Sequence, residues 1–525
     1  MKTINAIIMA AGISSRFAPL SYEKPKGLLV VKGEILIERQ IRQLQEAGIF
    51  DITVVVGYMK EKFFYLEEKF GIKIIINEDY YRYNNTSSLI RVLDKIDETY
   101  ICSSDNYFTK NVFLEAPIDA YYSAEYSGGG VNEYCLETSD DDTIIGVKIG
   151  GYDSWYMIGH AYFNHEFSSR FCEILKLEYE QSAECREQLW ENLYMRHLND
   201  LHLKINRYPK GVIKEFDSLE ELRLFDANYI ENANSSILNN ICNILQCKQS
   251  DIKNIRSIEQ GLTNSSFAFY CCKDNNQYVY RHPGIETSAY INRKSENFSM
   301  QYAKDLGLDD TFICMDENSG WKMSYYLQGS HTLDYHNWDE VDDALKMLRF
   351  LHDANIKSDY DFGLWDKILG FIEKIGDIGR IDFDDFDDLY EKIELLYKHT
   401  QVDGIEKCLC HCDSFDTNFL IDSRGKMYLI DWEYSGNADP GVDIGTFICC
   451  SDYTLEEARE IICRYLQHEP SIVELRHYYA YTSLISYCWF LWAIFQTSNG
   501  NNVDEYLKLW YNMSKIYYGI AIKLY

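Results

Sequence analysis

Between Ile4 and Tyr107 the chain alternates short apolar runs with stretches whose apolar residues recur every three to four positions. Ala6–Met9, Ile52–Val56, Lys73–Ile76 and Tyr100–Ser103 carry β-branched residues, are bounded by Gly, Asn or Asp, and predict strands. Leu36–Ala47, Glu61–Phe70 and Ser87–Ile96 show helical spacing, with Gly48 and Gly71 as stops. Such alternation builds a parallel sheet flanked by helices, a Rossmann-like α/β arrangement. A mixed region follows, with a turn expected at Gly128-Gly129-Gly130 and a helix over Ala183–His197. Near Asn228–Ser236 the text turns polar, which places one domain at 1–228, a linker and helix start at 229–240, and a second domain at 241–525. There the order changes. Ile255–Arg281 predicts an antiparallel hairpin turning at Asp274-Asn275-Asn276, followed by a helix over Ile291–Asp305 and a strand over Lys322–Leu327. Helical patterns then dominate, interrupted by a hairpin over Phe419–Ile430 that turns at Ser423-Arg424-Gly425. This is a small β-rich lobe joined to a larger helical one, an α+β order.

Composition narrows the function. A chain of 525 residues exceeds what one core supports, so roughly three 150-residue units or two large domains are expected. With 51 Lys and Arg against 82 Asp and Glu the net charge is −31, which disfavours nucleic acid and anionic membrane faces as partners. Any phosphorylated substrate must then be held by a few local cations. The 46% hydrophobic content builds real cores and excludes global disorder. The 16 cysteines include no Cys-x-x-Cys pair and read as reduced thiols. The first residues are too polar for a signal segment and no 18-residue apolar run occurs, so a soluble cytoplasmic protein without a membrane span is expected.

Two constellations carry chemistry. After the first strand, Ala10-Ala11-Gly12-Ile13-Ser14-Ser15-Arg16 and then Lys24-Pro25-Lys26 form a small-residue loop with two cations, suited to a nucleoside triphosphate at a strand end. The bland alternative is a turn with two surface basic residues. The second constellation is His411-x-Asp413-x-x-x-x-Asn418, followed by Asp431-Trp432-Glu433-Tyr434 after a short apolar strand. One Asp accepting a hydroxyl proton, with an Asn and a second Asp holding Mg²⁺ on ATP, is what a kinase requires. Gly261-Leu262-Thr263-Asn264 is a candidate phosphate-covering turn, and Arg281 could pair with Glu296, although a surface ion pair would read the same way. Trp489 and Trp492, three apart on a helical run, share a face that could hold a quaternary ammonium or simply pack in the core. Cys408, Cys410 and Cys412 alternate like a strand and read as core beside this loop, not as zinc ligands.

Ala6–Gly12 with Lys24–Leu29, Val56-Gly57-Tyr58 and Asn77-Glu78 with Tyr83-Asn84-Asn85 resemble the nucleotidyltransferases, most of all bacterial CTP:phosphocholine cytidylyltransferases, over about Met1–Phe225. One departure is Ser14, where the family usually has glycine. The resemblance implies that Ala10, Ala11, Gly12, Arg16 and Lys26 bind CTP, that Arg16 and Lys26 are catalytic, and that Asp105 and Asp217 hold Mg²⁺. Asp217 alternatively caps a helix, with Glu220 three residues on. Tyr134, Trp190 and Glu191 are the corresponding choline candidates.

Tyr280-Arg281, Asn292–Glu296, Leu351-His352 and the two later motifs resemble choline and ethanolamine kinases of the aminoglycoside-phosphotransferase-like group, over about Ile255–Gln496. This implies a two-lobed kinase-like domain with Asp413 as base, Asn418 and Asp431 on Mg²⁺, His411 structural, Thr263, Asn264, Arg281 and Glu296 at ATP, and Glu433, Trp489 and Trp492 at choline. The expected function is CDP-choline synthesis from choline, ATP and CTP through phosphocholine. Rivals are an ethanolamine version, a sugar nucleotidyltransferase fused to an aminoglycoside-type kinase, and a choline sensor with inactive domains.

Overall fold

The computed structural model describes residues 4–226, 229, 234–258, 264–284, 291–376, 383–498 and 503–525. The chain divides into two compact units, Met1–Ser257 with Phe269–Asn275, and Ile258–Ala268 with Asn276–Tyr525.

The first unit is built on a seven-stranded sheet of β1 (Asn5–Ala10), β2 (Ile52–Val56), β3 (Lys73–Ile76), β4 (Thr99–Ser103), β5 (Tyr121–Thr138), β6 (Ile144–Phe163) and β7 (Lys204–Tyr208). Its order is β7-β5-β6-β4-β1-β2-β3. Strands β4, β1, β2 and β3 run parallel, as the alternation predicts. β6 is antiparallel to both β4 and β5, so the sheet is mixed. Ile7, Val55 and Ile101 enter one core, while Ile8, Val54, Tyr100 and Cys102 enter another on the opposite face. Burial on both faces is why these strands read as nearly continuous apolar runs.

Some elements differ from the sequence reading. Gly128–Gly130 is no turn but lies inside β5, whose pairing with β6 shifts register between Ser127 and Gly130. The helix expected over Ala183–His197 is two, Ala183–Glu187 and Trp190–Arg196. The Thr86 hydroxyl donates among the carbonyls of Cys185, Arg186 and Gln188 at this break, and Asn85 Oδ1 accepts from Trp190 N at 2.7 Å. Glu61–Phe70 and Ser87–Ile96 each split into a 3₁₀ turn and a short α-helix. A helix over Ser236–Leu245 begins within the 229–240 stretch, where a linker and helix start are expected.

In the second half, β8 (Ile252–Ile258), β9 (Ser265–Cys271), β10 (Asn276–His282), β11 (Phe312–Met315) and β12 (Lys322–Tyr325) form a sheet ordered β8-β9-β10-β12-β11. The stretch read as one hairpin thus supplies three strands. Helix α1 (Arg293–Asp305) follows β10, and the helical part includes α2 (Trp338–Asp353), α3 (Leu364–Ile375), α4 (Gly441–Cys449), α5 (Ile472–Ser498) and α6 (Asp504–Ala521). Between them lie β13 (Cys408–Cys410) and the antiparallel hairpin β14 (Phe419–Ile421) and β15 (Met427–Leu429). α5 is buried without interruption from His477 to Ile494, as a helix through the centre of a core must be. α4 crosses it at Gly445, where a Cβ would stand 2.9 Å from backbone atoms of Tyr481 and Thr482. No described helix is long and apolar enough to cross a membrane.

Candidate active sites

In the first unit a cleft of about 440 Å³ opens beyond the carboxyl ends of β1 and β4, where ligands of open α/β sheets bind. Ala10, Ala11, Gly12, Ser14, Lys26 and Asp105 are among its lining residues. Lys26 Nζ lies 2.6 Å from Asp105 Oδ2, and the Ser103 hydroxyl donates to Asp105 Oδ1 at 2.6 Å. Gly27 permits this approach, since a Cβ there would stand 2.8 Å from the Ser104 side chain. Burial works against the Lys26 charge, but Asp105, with Glu215 and Asp217 beyond it, outweighs burial and raises the amine's pKa. Burial likewise resists ionisation of Asp105, and Lys26 overcomes it, holding that carboxyl below its usual range. Ser14 adopts a left-handed conformation with φ 54°, which is the physical reason glycine is usual at that place.

Glu215 belongs to no motif read from the sequence. Its side chain is exposed, with Asp105, Lys26, Asp217 and Glu133 as charged neighbours. Burial, then Asp105, Asp217 and Glu133, push its pKa up to about 8. Arg16 and Asp217 are surface residues whose side chains pair at 3.3 Å. Ser218, not Asp217, caps the following helix.

Of the amine candidates, Glu191 is buried, with its carboxylate accepting from Tyr122 Oη at 3.0 Å and Asn85 Nδ2 at 3.3 Å. Among the described residues no cation pairs with it, and burial raises its pKa. Asn85 also lines the cleft. Tyr134 donates to Asn192 at 3.4 Å. Trp190 is fully enclosed, stacked on Tyr122 with Phe163 and Phe171 edge-on, so it presents no open face to a ligand.

In the second unit the loop after β13 holds Asp413 and Asn418 together. Asn418 Nδ2 donates to the Asp413 carbonyl at 2.7 Å and to Oδ2 at 3.0 Å. Burial, then the charges of Asp431 and Glu433, push Asp413 well above the usual carboxylate range. Asp431, at φ 61°, meets Lys322 Nζ at 3.2 Å and Arg281 Nη1 at 3.3 Å. Burial opposes its charge, but Lys322 and Arg281 outweigh burial and bring its pKa down to about 2. Arg281 lies 2.6 Å from Glu296, both buried, so the pair is not a surface contact. β10 and β12 pair Arg281 with Lys322 in register, which is how a lysine absent from any motif reaches the site.

Glu433 was expected at choline. Its carboxylate instead accepts from Asn264 Nδ2 at 2.8 Å and lies 3.4 Å from Arg293 and 3.6 Å from Arg281. Thr263 lies outside the described residues. His411 is buried and neutral, its pKa lowered first by burial, and its Nε2–H donates to Ile430 O at 2.8 Å. Asp443 accepts from His411 N at 2.9 Å and Cys412 N at 2.6 Å, while His352 Nε2 reaches the same carboxylate at 2.8 Å. Neither Asp443 nor this use of His352 was legible beforehand.

Trp489 and Trp492 sit 6.1 Å apart, edge to face. Trp489 also meets Phe415, Tyr434 and Trp510 at 5.3–6.3 Å. Phe415 lies between Asp413 and Asn418, so the ring cluster abuts that loop. Both indole N–H groups are buried, and no described protein atom accepts from either. Leaving such a donor unpaired costs about 1–3 kcal/mol.

Residues 6–131 match the MobA-like NTP transferase domain, and residues 255–481 match choline/ethanolamine kinase. The 2-aminoethylphosphonate cytidylyltransferase of Lancefieldella rimae is 34% identical over 231 residues, 43% of this chain and 93% of that protein. The choline-phosphate cytidylyltransferase of Streptococcus pneumoniae is 31% identical over 220 residues, 42% of this chain and 96% of that protein. Protein LicA of Haemophilus influenzae is 26% identical over 245 residues, 44% of this chain and 89% of that protein. The chain belongs to the nucleotidyltransferases through a cytidylyltransferase-like N-terminal domain, fused to a C-terminal choline/ethanolamine-kinase-like domain.

Proposed function

We propose that the second unit phosphorylates choline with ATP and that the first transfers a cytidylyl group from CTP to the resulting phosphocholine, giving CDP-choline and pyrophosphate. The observation that carries this reading is the Asp413–Asn418 pair beside Asp431, the apparatus of a hydroxyl kinase, on one chain with a cytidylyltransferase-like cleft. An alcohol kinase yields the phosphate monoester that the other unit needs. Asp413 accepts the hydroxyl proton, and the burial and neighbouring negative charge that raise its pKa make it a stronger acceptor. In the first unit no base is required, because a phosphate monoester is largely dianionic near neutral pH. Lys26, with Arg16, neutralises and orients the phosphates in the cleft.

The donor sets fit Mg²⁺. Asp105 and Asp217 would hold it in one unit, and Asn418 with Asp431, whose neighbouring cations favour its ionised form, in the other. These are hard oxygen ligands of the kind Mg²⁺ takes, the carboxylates each now held by a neighbouring Lys or Arg. When bound, the ion offsets phosphate charge.

For the amine, Trp489, Trp492 and Tyr434 offer aromatic faces in the kinase unit, and Glu191 with Tyr134 offers a carboxylate beside a ring in the other. A second reading, cytidylyl transfer to 2-aminoethylphosphonate, is favoured by the 34% identity to a protein of that name. A phosphonate needs no kinase, so the fusion favours the phosphate ester. Phosphorus NMR of the protein with ATP, CTP, Mg²⁺ and either choline, ethanolamine or 2-aminoethylphosphonate decides. CDP-choline should form fastest. Failure to phosphorylate choline, or faster use of the phosphonate, would overturn the reading.

A further inference from the structure

Lys367, on α3, carries a cation that the proposed chemistry does not use. Its ammonium stands 5.1 Å from the centre of the Phe362 ring and 5.5 Å from that of Tyr434. Tyr434 in turn meets Trp489 edge-on at 5.3 Å. Among the described residues Lys367 makes no ion pair and no side-chain hydrogen bond. The titratable groups facing it come from four elements. Glu433 and Tyr434 come from the loop after β15, Cys412 from the catalytic loop, Cys488 from α5 and Lys374 from its own helix. Burial keeps both thiols protonated. Glu433 is already engaged by Asn264, Arg293 and Arg281, so the Lys367 charge is held chiefly by ring faces.

We propose that Lys367 is a specificity-determining residue of the amine compartment, because its ammonium occupies the Tyr434 ring that a cationic substrate would share. This rests on the reading of the Trp489–Trp492 rings as a cation site. Two like charges on one desolvated ring system repel, and the ring's quadrupole satisfies only one of them fully. Burial, against little compensation, lowers the Lys367 pKa, so the lysine sheds its proton more easily than a surface lysine. Cation binding and Lys367 deprotonation therefore favour one another, and affinity for a permanent cation rises with pH.

Choline carries the same charge at every pH, which makes it a clean probe. Calorimetric titration of the full chain with choline, and separately with tetramethylammonium, is carried out at about pH 6.5, 8 and 9.5 on wild type, Lys367→Met and Lys367→Arg. Wild-type affinity should rise towards the alkaline end of the series, by up to about tenfold, the scale of one desolvated cation–π contact. Lys367→Met should hold the tighter value throughout, and Lys367→Arg the weaker one. Flat wild-type affinity, or a folded Lys367→Met that binds more weakly than wild type at about pH 6.5, overturns the proposal and leaves the choline reading standing. If Lys367→Met melts before titration, the wild-type series and Lys367→Arg decide alone. Absence of binding by either cation at any pH overturns both.

Discussion

Replacing Lys26 by Met separates what the Lys26–Asp105 pair does for stability from what it does for chemistry. At 2.6 Å the gross attraction is about 6 kcal/mol for an effective dielectric near 20. Removing one member strands the other, a loss of about 3–5 kcal/mol for buried pairs. Asp105 limits that loss, because it can take up a proton. Carrying a carboxyl from its ordinary pKa near 4 to neutrality at about pH 7 costs roughly 4 kcal/mol, at about 1.4 kcal/mol per unit. The expected destabilisation at neutral pH is therefore about 3–4 kcal/mol. In the variant Asp105 has a raised pKa, so the folded form binds more protons than the unfolded one. Stability should then rise as pH falls from 7 towards 5. Adding Asp105→Asn should recover most stability at pH 7. Cytidylyl transfer to supplied phosphocholine should stay down by about 10²–10³ in both variants, the usual effect of losing one charge-stabilising donor. Urea melts at two pH values and a CTP assay measure this, with choline phosphorylation as internal control. If the double variant regains activity along with stability, Lys26 is a structural partner of Asp105 and the cleft has been misassigned.

Asp413→Asn should lower choline phosphorylation by about 10²–10⁴ while cytidylyl transfer is unchanged, and equal loss of both would refute two separate sites. Burial disfavours charge on His477, but Asp439 and Asp403 at 3.0 Å outweigh it and raise its pKa. Its ionic contribution is thus complete below about pH 6.5 and fades as pH rises through the folded-state value, so the melting gap between wild type and His477→Gln should narrow at alkaline pH. Ser14→Gly relieves a left-handed serine and should stabilise the first unit by about 0.5–1 kcal/mol, read by urea melts. A lower midpoint would show that the serine side chain is needed there.

What was legible in the sequence was what local pattern encodes. The parallel strands β1–β4 stand in the text because both faces are buried, and the Asp413–Asn418 motif stands because its spacing is short. The ribbon β5–β6 was not legible, since glycines that mark a turn elsewhere sit there at register shifts between long strands. The break at Gln188-Leu189 depends on Thr86 and Asn85, about a hundred residues earlier in the chain. Lys322 reaches Asp431 only through sheet pairing with Arg281, and Glu215 is distinguished by neighbours, not by its own surroundings in sequence. Lys367 is one lysine among many until Tyr434 is placed beneath it.

The carboxylate of Asp443 has a consequence for motion. It accepts the backbone amides of two consecutive residues, His411 and Cys412, and is itself fixed by His352 from α2 and rooted in α4. Loops that carry catalytic groups usually open locally at small free-energy cost. This one is stapled at its entrance to two buried helices, so its first two amides can exchange with solvent only when that helical core itself comes apart. Their deuterium uptake should be as slow as that of α5, which makes the start of the catalytic loop part of the last region to unfold.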